Sequence, residues 1–124
     1  MKLFLLIVLI PFVSIGQPAE KNWIRINQLG YTTNGVKVAV WCSKEEKVIG
    51  DWELVNSVSK KVVASGKPGN SFAAYGPFKQ TYRLNFSSFK KPGRYFLQTG
   101  GVQSPEFEIG EDVYKGAADF CLRY

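Results

Sequence analysis

The strongest constraint on this chain is a two-residue alternation of side chains that recurs in short runs, each closed by turn-forming residues. Ile24, Ile26 and Gln28 alternate with Arg25 and Asn27, and Val36, Val38 and Val40 alternate with Lys37 and Ala39. Successive side chains of a strand point to opposite faces, so this period marks ribbons with one face buried. Further runs cover 51–56, 61–65, 80–86, 94–99 and 105–109, with Lys67-Pro68-Gly69-Asn70, Lys91-Pro92-Gly93 and Thr99-Gly100-Gly101 between them. Gly supplies positive φ and Pro presets a turn dihedral, so these segments reverse the chain. Short strands at this spacing predict an all-β, two-sheet sandwich rather than a parallel sheet covered by helices. Alternation assigns Ile24, Ile26, Val38, Val40, Leu84, Phe86, Tyr95, Leu97, Phe107 and Ile109 to its interior.

The two ends depart from this pattern. Lys2 followed by the apolar run Leu3 to Val13 and then Ser14-Ile15-Gly16 has the layout of a cleavable export leader over residues 1–16. The run is shorter than the roughly 20 residues a membrane span needs, and no cysteine stands at the cleavage point to carry a lipid. The mature chain is expected to be secreted or periplasmic, free of the membrane after cleavage. At the other end Asp112 is placed to cap a helix whose apolar stripe is Val113, Ala117, Phe120 and Tyr124. Such a helix of about a dozen residues is marginal alone. Either it begins a larger helical domain and the chain is a fragment, which is the simpler expectation, or it folds back on the sandwich. The expected divisions are 1–16, 17–110 and 111–124.

Composition narrows the function. With 124 residues and a hydrophobic fraction of 45%, the chain can fill one core. Lys2 is the sole charge in the leader, so its removal lowers the formal charge from +6 to +5. The remaining cations, among them Lys37, Lys44, Lys60, Lys61, Lys90 and Lys91, are scattered, mostly through turns, where they protect sheet edges. A nucleic-acid reader concentrates them on one face. The absence of histidine removes Cys-His nucleophiles and the usual histidine-containing metal sites. Cys42 and Cys121 leave a disulfide open. The acid pairs Glu45-Glu46 and Glu111-Asp112 fit solvated or helix-capping positions, so no catalytic, cofactor or metal residue is assigned.

Four segments carry a family resemblance: Trp23 to Tyr31 (WIRINQLGY), Leu84 to Tyr95 (LNFSSFKKPGRY), Gly101 to Asp112 (GVQSPEFEIGED), and Val113-Tyr114 with its apolar stripe. In this order they resemble the immunoglobulin-like domain that precedes the catalytic domain in glycoside hydrolase family 9, the cellulase and endoglucanase family. The resemblance covers nearly all of the mature chain. It implies an immunoglobulin-like β-sandwich followed by a short C-terminal helix that begins a missing α/α toroid.

That family's activity, as the resemblance implies it, is inverting hydrolysis of β-glucans by an aspartate pair and a distant glutamate, the carboxylates standing about 6.5 to 9.5 Å apart. Neither catalytic motif is matched in this sequence. The implied role is a non-catalytic accessory module that stabilises a C-terminal catalytic domain of the same polypeptide. Two alternatives remain: a carbohydrate-binding module taking β-glucan, and an independent surface interaction domain. Tyr31, Tyr75, Phe78 and Tyr114 are the candidates for interdomain or sugar contact. Trp52, a further aromatic on a strand, is expected in the core.

Overall fold

The computed structural model describes residues 20–117. Among them nine strands form: β1 (Asn22–Arg25), β2 (Val38–Ser43), β3 (Trp52–Asn56), β4 (Val62–Gly66), β5 (Ser71–Phe72), β6 (Gln80–Asn85), β7 (Gly93–Thr99), β8 (Val102–Gln103) and β9 (Phe107–Ile109). One sheet has the order β1-β2-β6-β5; the other runs β4-β3-β7-β8, with β9 also paired to β7. All named pairings are antiparallel. The fold is the two-sheet sandwich that the alternation predicts, of the immunoglobulin-like kind that the resemblance implies.

The core lies between the sheets, where Trp41, Leu54, Leu84, Phe86, Leu97 and Tyr95 are at most 1% exposed. Each large side chain buried in this way contributes about 1.5–3 kcal/mol. Ile24, Leu84, Phe86, Tyr95, Leu97, Phe107 and Ile109 are interior as expected, and Ile26 packs at the edge of the cluster. Trp52 is also core; its indole Nε1–H donates to the Lys67 carbonyl at 3.2 Å.

Strand β2 corrects the expected register by one residue. Ala39 and Trp41 point inward, while Val38 and Val40 are only half-buried, on the outer face. The run Val38-Ala39-Val40-Trp41-Cys42 is apolar at every position, so alternation does not choose its face. The indole has the most area to remove from water and takes the interior. The same shift leaves Val36 79% exposed and Lys37 at 0%. Lys37 Nζ donates to the carbonyls of Thr33 (2.6 Å), Gly35 (3.0 Å) and Ser87 (3.5 Å), which replace the water it loses.

Two of the family motifs acquire a physical reading. In Leu84 to Tyr95, the Asn85 carboxamide accepts from Ser87 N–H, Ser87 Oγ accepts from Lys37 N–H, and Phe86 fills the core at 0% exposure. Further along, the Tyr95 hydroxyl lies 3.1 Å from the Lys91 carbonyl and 3.2 Å from that of Pro92, a tyrosine corner that ties the chain reversal to β7. Gly93 makes room for it: its φ is 151°, and a Cβ there would stand 2.9 Å from the Tyr95 hydroxyl. In the second motif, Ser104 Oγ accepts from Leu97 N–H at 2.9 Å and donates to the Pro105 carbonyl at 2.8 Å.

The helix expected over 111–124 does not begin at residue 111. Residues 111–116 form successive turns closed by bonds such as Lys115 N–H to Asp112 O at 3.0 Å, and Gly116 has φ 78°. A bond to the third residue back, followed by a left-handed glycine, interrupts α-helical propagation. The rest of that stretch, including Phe120, Cys121 and Tyr124, lies outside the described residues, as do the leader and any bridge from Cys42 to Cys121. Cys42 itself is a buried thiol on β2, its pKa raised by burial against the opposing effect of Arg25.

Candidate interdomain junction

The first and last family motifs, about eighty positions apart in sequence, meet at one pole of the sandwich. After β1 the chain turns at Asn27 to Gly30, where Gly30 N–H donates to Asn27 O (3.0 Å) and Leu29 N–H donates to Asn27 Oδ1 (3.1 Å). This is an Asx turn, which Asn favours because its short amide mimics the backbone. The chain then meets β9. Tyr31 N–H donates to Glu108 O at 2.9 Å, Gly110 N–H donates to Tyr31 O at 3.0 Å, and Tyr31 forms a parallel bridge with Ile109.

Gly30 permits this approach. Its φ is 99°, and a Cβ would lie 2.5 Å from the Glu108 carbonyl oxygen and 3.2 Å from Val113 Cγ1. Beyond the bridge, Tyr114 folds back over the turn. Its hydroxyl donates to Gly30 O at 3.1 Å and accepts from Asn27 Nδ2 at 3.0 Å. Asn27 thus shapes the turn with Oδ1 and grips the departing chain with Nδ2.

Beneath this surface tie, Tyr31 is 4% exposed and makes T-shaped contacts with Phe86 at 5.1 Å and Phe107 at 5.3 Å. Its hydroxyl accepts from Asn27 N–H (2.9 Å) and donates to Val38 O (3.0 Å). Burial raises its pKa, the Asn27 amide opposing and Tyr114 adding to the rise. Lys37 stands at the same pole; burial lowers its pKa, Lys90 adds to this, and Glu111 opposes it.

The four candidate contact residues therefore separate. Tyr31 is packed in the core, and Tyr114 is half-exposed beside it. Tyr75 and Phe78 lie at the opposite pole, where their backbones bond across the Gly76-Pro77 turn at 2.9 and 3.1 Å. Tyr75 is 78% exposed, whereas Phe78 packs edge-on against Trp23 at 5.7 Å. Sequence reasoning missed the roles of Asn27 and Lys37. The Asn-x-x-Gly spacing of a turn is the signal that finds Asn27; Lys37 has none.

Neither acid pair assembles a hydrolytic centre. Glu45 bonds Lys21 at 2.6 Å, and that bond holds its carboxyl below the ordinary value. Glu111 and Asp112 lie exposed in the terminal turns. A cleft of about 890 Å³ between β1 and residues 101–105 is open, and among the described residues Glu20 is the carboxylate that lines it. Among the described residues no three His, Cys, Asp or Glu side chains gather as metal ligands, and no helix is long and apolar enough to cross a membrane.

The fold is an immunoglobulin-like sandwich whose first and last described segments meet at one pole. The sequence pattern of the cellulase N-terminal ig-like domain matches residues 19–104, and the chain belongs to that family. It is 34% identical over 100 residues to the xyloglucan-specific endo-beta-1,4-glucanase BoGH9A of Bacteroides ovatus, covering 81% of this chain and 16% of that protein. Among solved structures, a Bacteroides ovatus GH9 protein superposes with TM-score 0.68 at 32% identity over 81% of this chain and 18% of its own. A metagenome-derived glycoside hydrolase family 9 endoglucanase gives TM-score 0.65 at 30% identity, over 75% and 18%. The chain spans less than a fifth of the length of these relatives.

Proposed function

We propose that this chain is the non-catalytic N-terminal module of a larger, exported family 9 glycoside hydrolase acting on β-glucan, and that it holds the start of the following catalytic domain in a fixed direction. The observation that carries this reading is the clamp of Asn27, Gly30 and Tyr114 on the segment leaving β9. A flexible linker would leave that segment free; here it is hydrogen-bonded to the turn at residues 27–30. Exposed Leu29 and Tyr114 beside the clamp offer apolar surface to the next domain. The family relatives, all several times longer and described as glucanases or family 9 hydrolases, support the parent activity. The leader-like layout of residues 1–16, a lysine, an apolar run and small residues, supports secretion.

The test is calorimetry of the parent protein with Asn27→Ala and Tyr114→Phe. Loss of the clamp should lower the melting temperature of the catalytic domain or split a shared transition in two. An unchanged transition overturns the reading. The present chain alone should release no reducing sugar from carboxymethylcellulose or xyloglucan; activity there overturns the non-catalytic assignment.

A further inference from the structure

The outer face of the β1-β2-β6-β5 sheet is a second surface, built differently from the clamp. Register places Trp23, Cys42, Thr81 and Phe72 in one outward rung and Arg25, Val40 and Arg83 in the next. Three aromatics here carry a cation: Arg25 stands over Phe78 at 5.6 Å, Arg83 over Phe72 at 4.9 Å, and Lys44 over Trp23 at 5.5 Å. A guanidinium held over a ring is restrained before a ligand arrives, which lowers the entropy cost of binding a carboxylate.

No outward position of these four strands is acidic, and among the described residues neither Arg25 nor Arg83 is in an ion pair. The nearby Glu45 is already bonded to Lys21, and Glu46 shares its hollow with Lys47 and Lys79. Arg25 and Arg83 flank Val40, so their backbones are two strand spacings apart, roughly 9 to 10 Å. A chain with carboxylates at regular intervals can reach both, while half-exposed Phe72 offers its rings an apolar surface.

We infer that this face binds an anionic polysaccharide, a uronate-bearing glycan chain, through Arg25 and Arg83 on their aromatic supports. The occupant follows from charge complementarity: an acid-free face with two held guanidiniums selects a repeating anion over a neutral glucan. The inference is independent of the clamp, since neither Arg25 nor Arg83 takes part in the bonds that tie Asn27, Gly30 and Tyr114 together.

The experiment is affinity electrophoresis of the full chain in gels containing polygalacturonate or neutral hydroxyethylcellulose. Polygalacturonate should retard the chain, less so as salt rises, and hydroxyethylcellulose should not. Arg25→Gln with Arg83→Gln should weaken retardation roughly tenfold or more, the effect of losing charge-assisted bonds. The pair Lys60→Gln with Lys61→Gln, which removes the same charge elsewhere, should retain it. Circular dichroism melts identify any variant that fails to fold, and Arg25→Lys with Arg83→Lys then separates the planar fork from charge alone. No retardation of the native chain, equal loss in the Lys60 and Lys61 control, or stronger retention on the neutral polymer would each overturn the inference.

Discussion

The clamp pole and the Tyr75 pole are both tight turns with a glycine at positive φ and a tyrosine beside it, yet only one is anchored. At the clamp pole, Gly30 sits where a Cβ would meet the Glu108 carbonyl, and Tyr31 reaches through the turn into the Phe86–Phe107 cluster. At the far pole, Gly76 has φ 56° but nothing within 4 Å of its would-be Cβ, and Tyr75 points to solvent. The lesson is that a turn motif signals function through what packs on it. The first glycine is required by a close approach and a conformation; the second by conformation alone.

This contrast can be broken by substitution, and the largest effect should come from beneath the clamp. Phe107→Ala should cost about 3 to 5 kcal/mol in urea denaturation, the range for a buried aromatic, because Tyr31 and Phe86 lose their shared neighbour. Gly30→Ala should follow at about 2 to 3 kcal/mol, from left-handed strain plus collision with a backbone oxygen that has nowhere to move. Gly76→Ala should cost distinctly less, since strain acts there without collision. Equal costs at the two glycines would erase the distinction between the poles. Tyr114→Phe should remove about 0.5 to 1.5 kcal/mol, the worth of a hydroxyl hydrogen-bonded on both sides. Tyr75→Ala should fall within about 0.5 kcal/mol of the parent chain.

Alkaline titration sharpens the comparison, because the titrating groups at the clamp pole are buried. Burial raises the Tyr31 and Tyr95 pKa values, so both hold their protons more tightly folded than unfolded. Their contribution is complete below the unfolded value of about 10 and is lost as pH rises through the folded values. The Cys42 thiol acts in the same sense from about pH 8.5. Lys37 opposes them. Burial lowers its folded pKa, the unfolded chain binds the extra proton between the two values, and stability from this group rises with pH up to about 10.4. Urea midpoints of the chain and of Lys37→Met, compared between about pH 8 and 11, should show the more positive slope in the parent. Parallel curves would mean that Lys37 is not titrating in its buried setting.

Most strands were legible because one face of each is apolar and the other polar: β3, β6, β7 and β9 start and end within a few residues of the alternating runs. Strand β2 was legible in place but not in facing, since Val38 to Cys42 offers apolar side chains to both sides. The two-residue strands β5 and β8 are too short for a period to exist. Lys37 was read as an ordinary solvated lysine, because the alternating run gives no sign that the Thr33 and Gly35 carbonyls just before it and that of Ser87 far along the chain converge on its Nζ. At the tail, the stripe of Val113 and Ala117 had helical spacing, but Val113 packs beside Gly30 and Gly116 turns left-handed. Both ends of the clamp were visible as motifs. Their meeting was not, because it depends on how two sheets close around a core.

The parallel bridge between Tyr31 and Ile109 also sets an order in time. A chain made from its N-terminus can form β1, β2 and their hairpins early, but the pocket that receives Tyr31 lacks Phe107 and Ile109 until the last strand has emerged. Contacts this distant in sequence are made late and require the whole intervening loop to be ordered. Until then the phenol ring and the apolar side of β7 stay exposed to whatever else the emerging chain meets. Closure of the sandwich therefore waits for Phe107 to Tyr114, so the bond between Asn27 and Tyr114 is among the last to form.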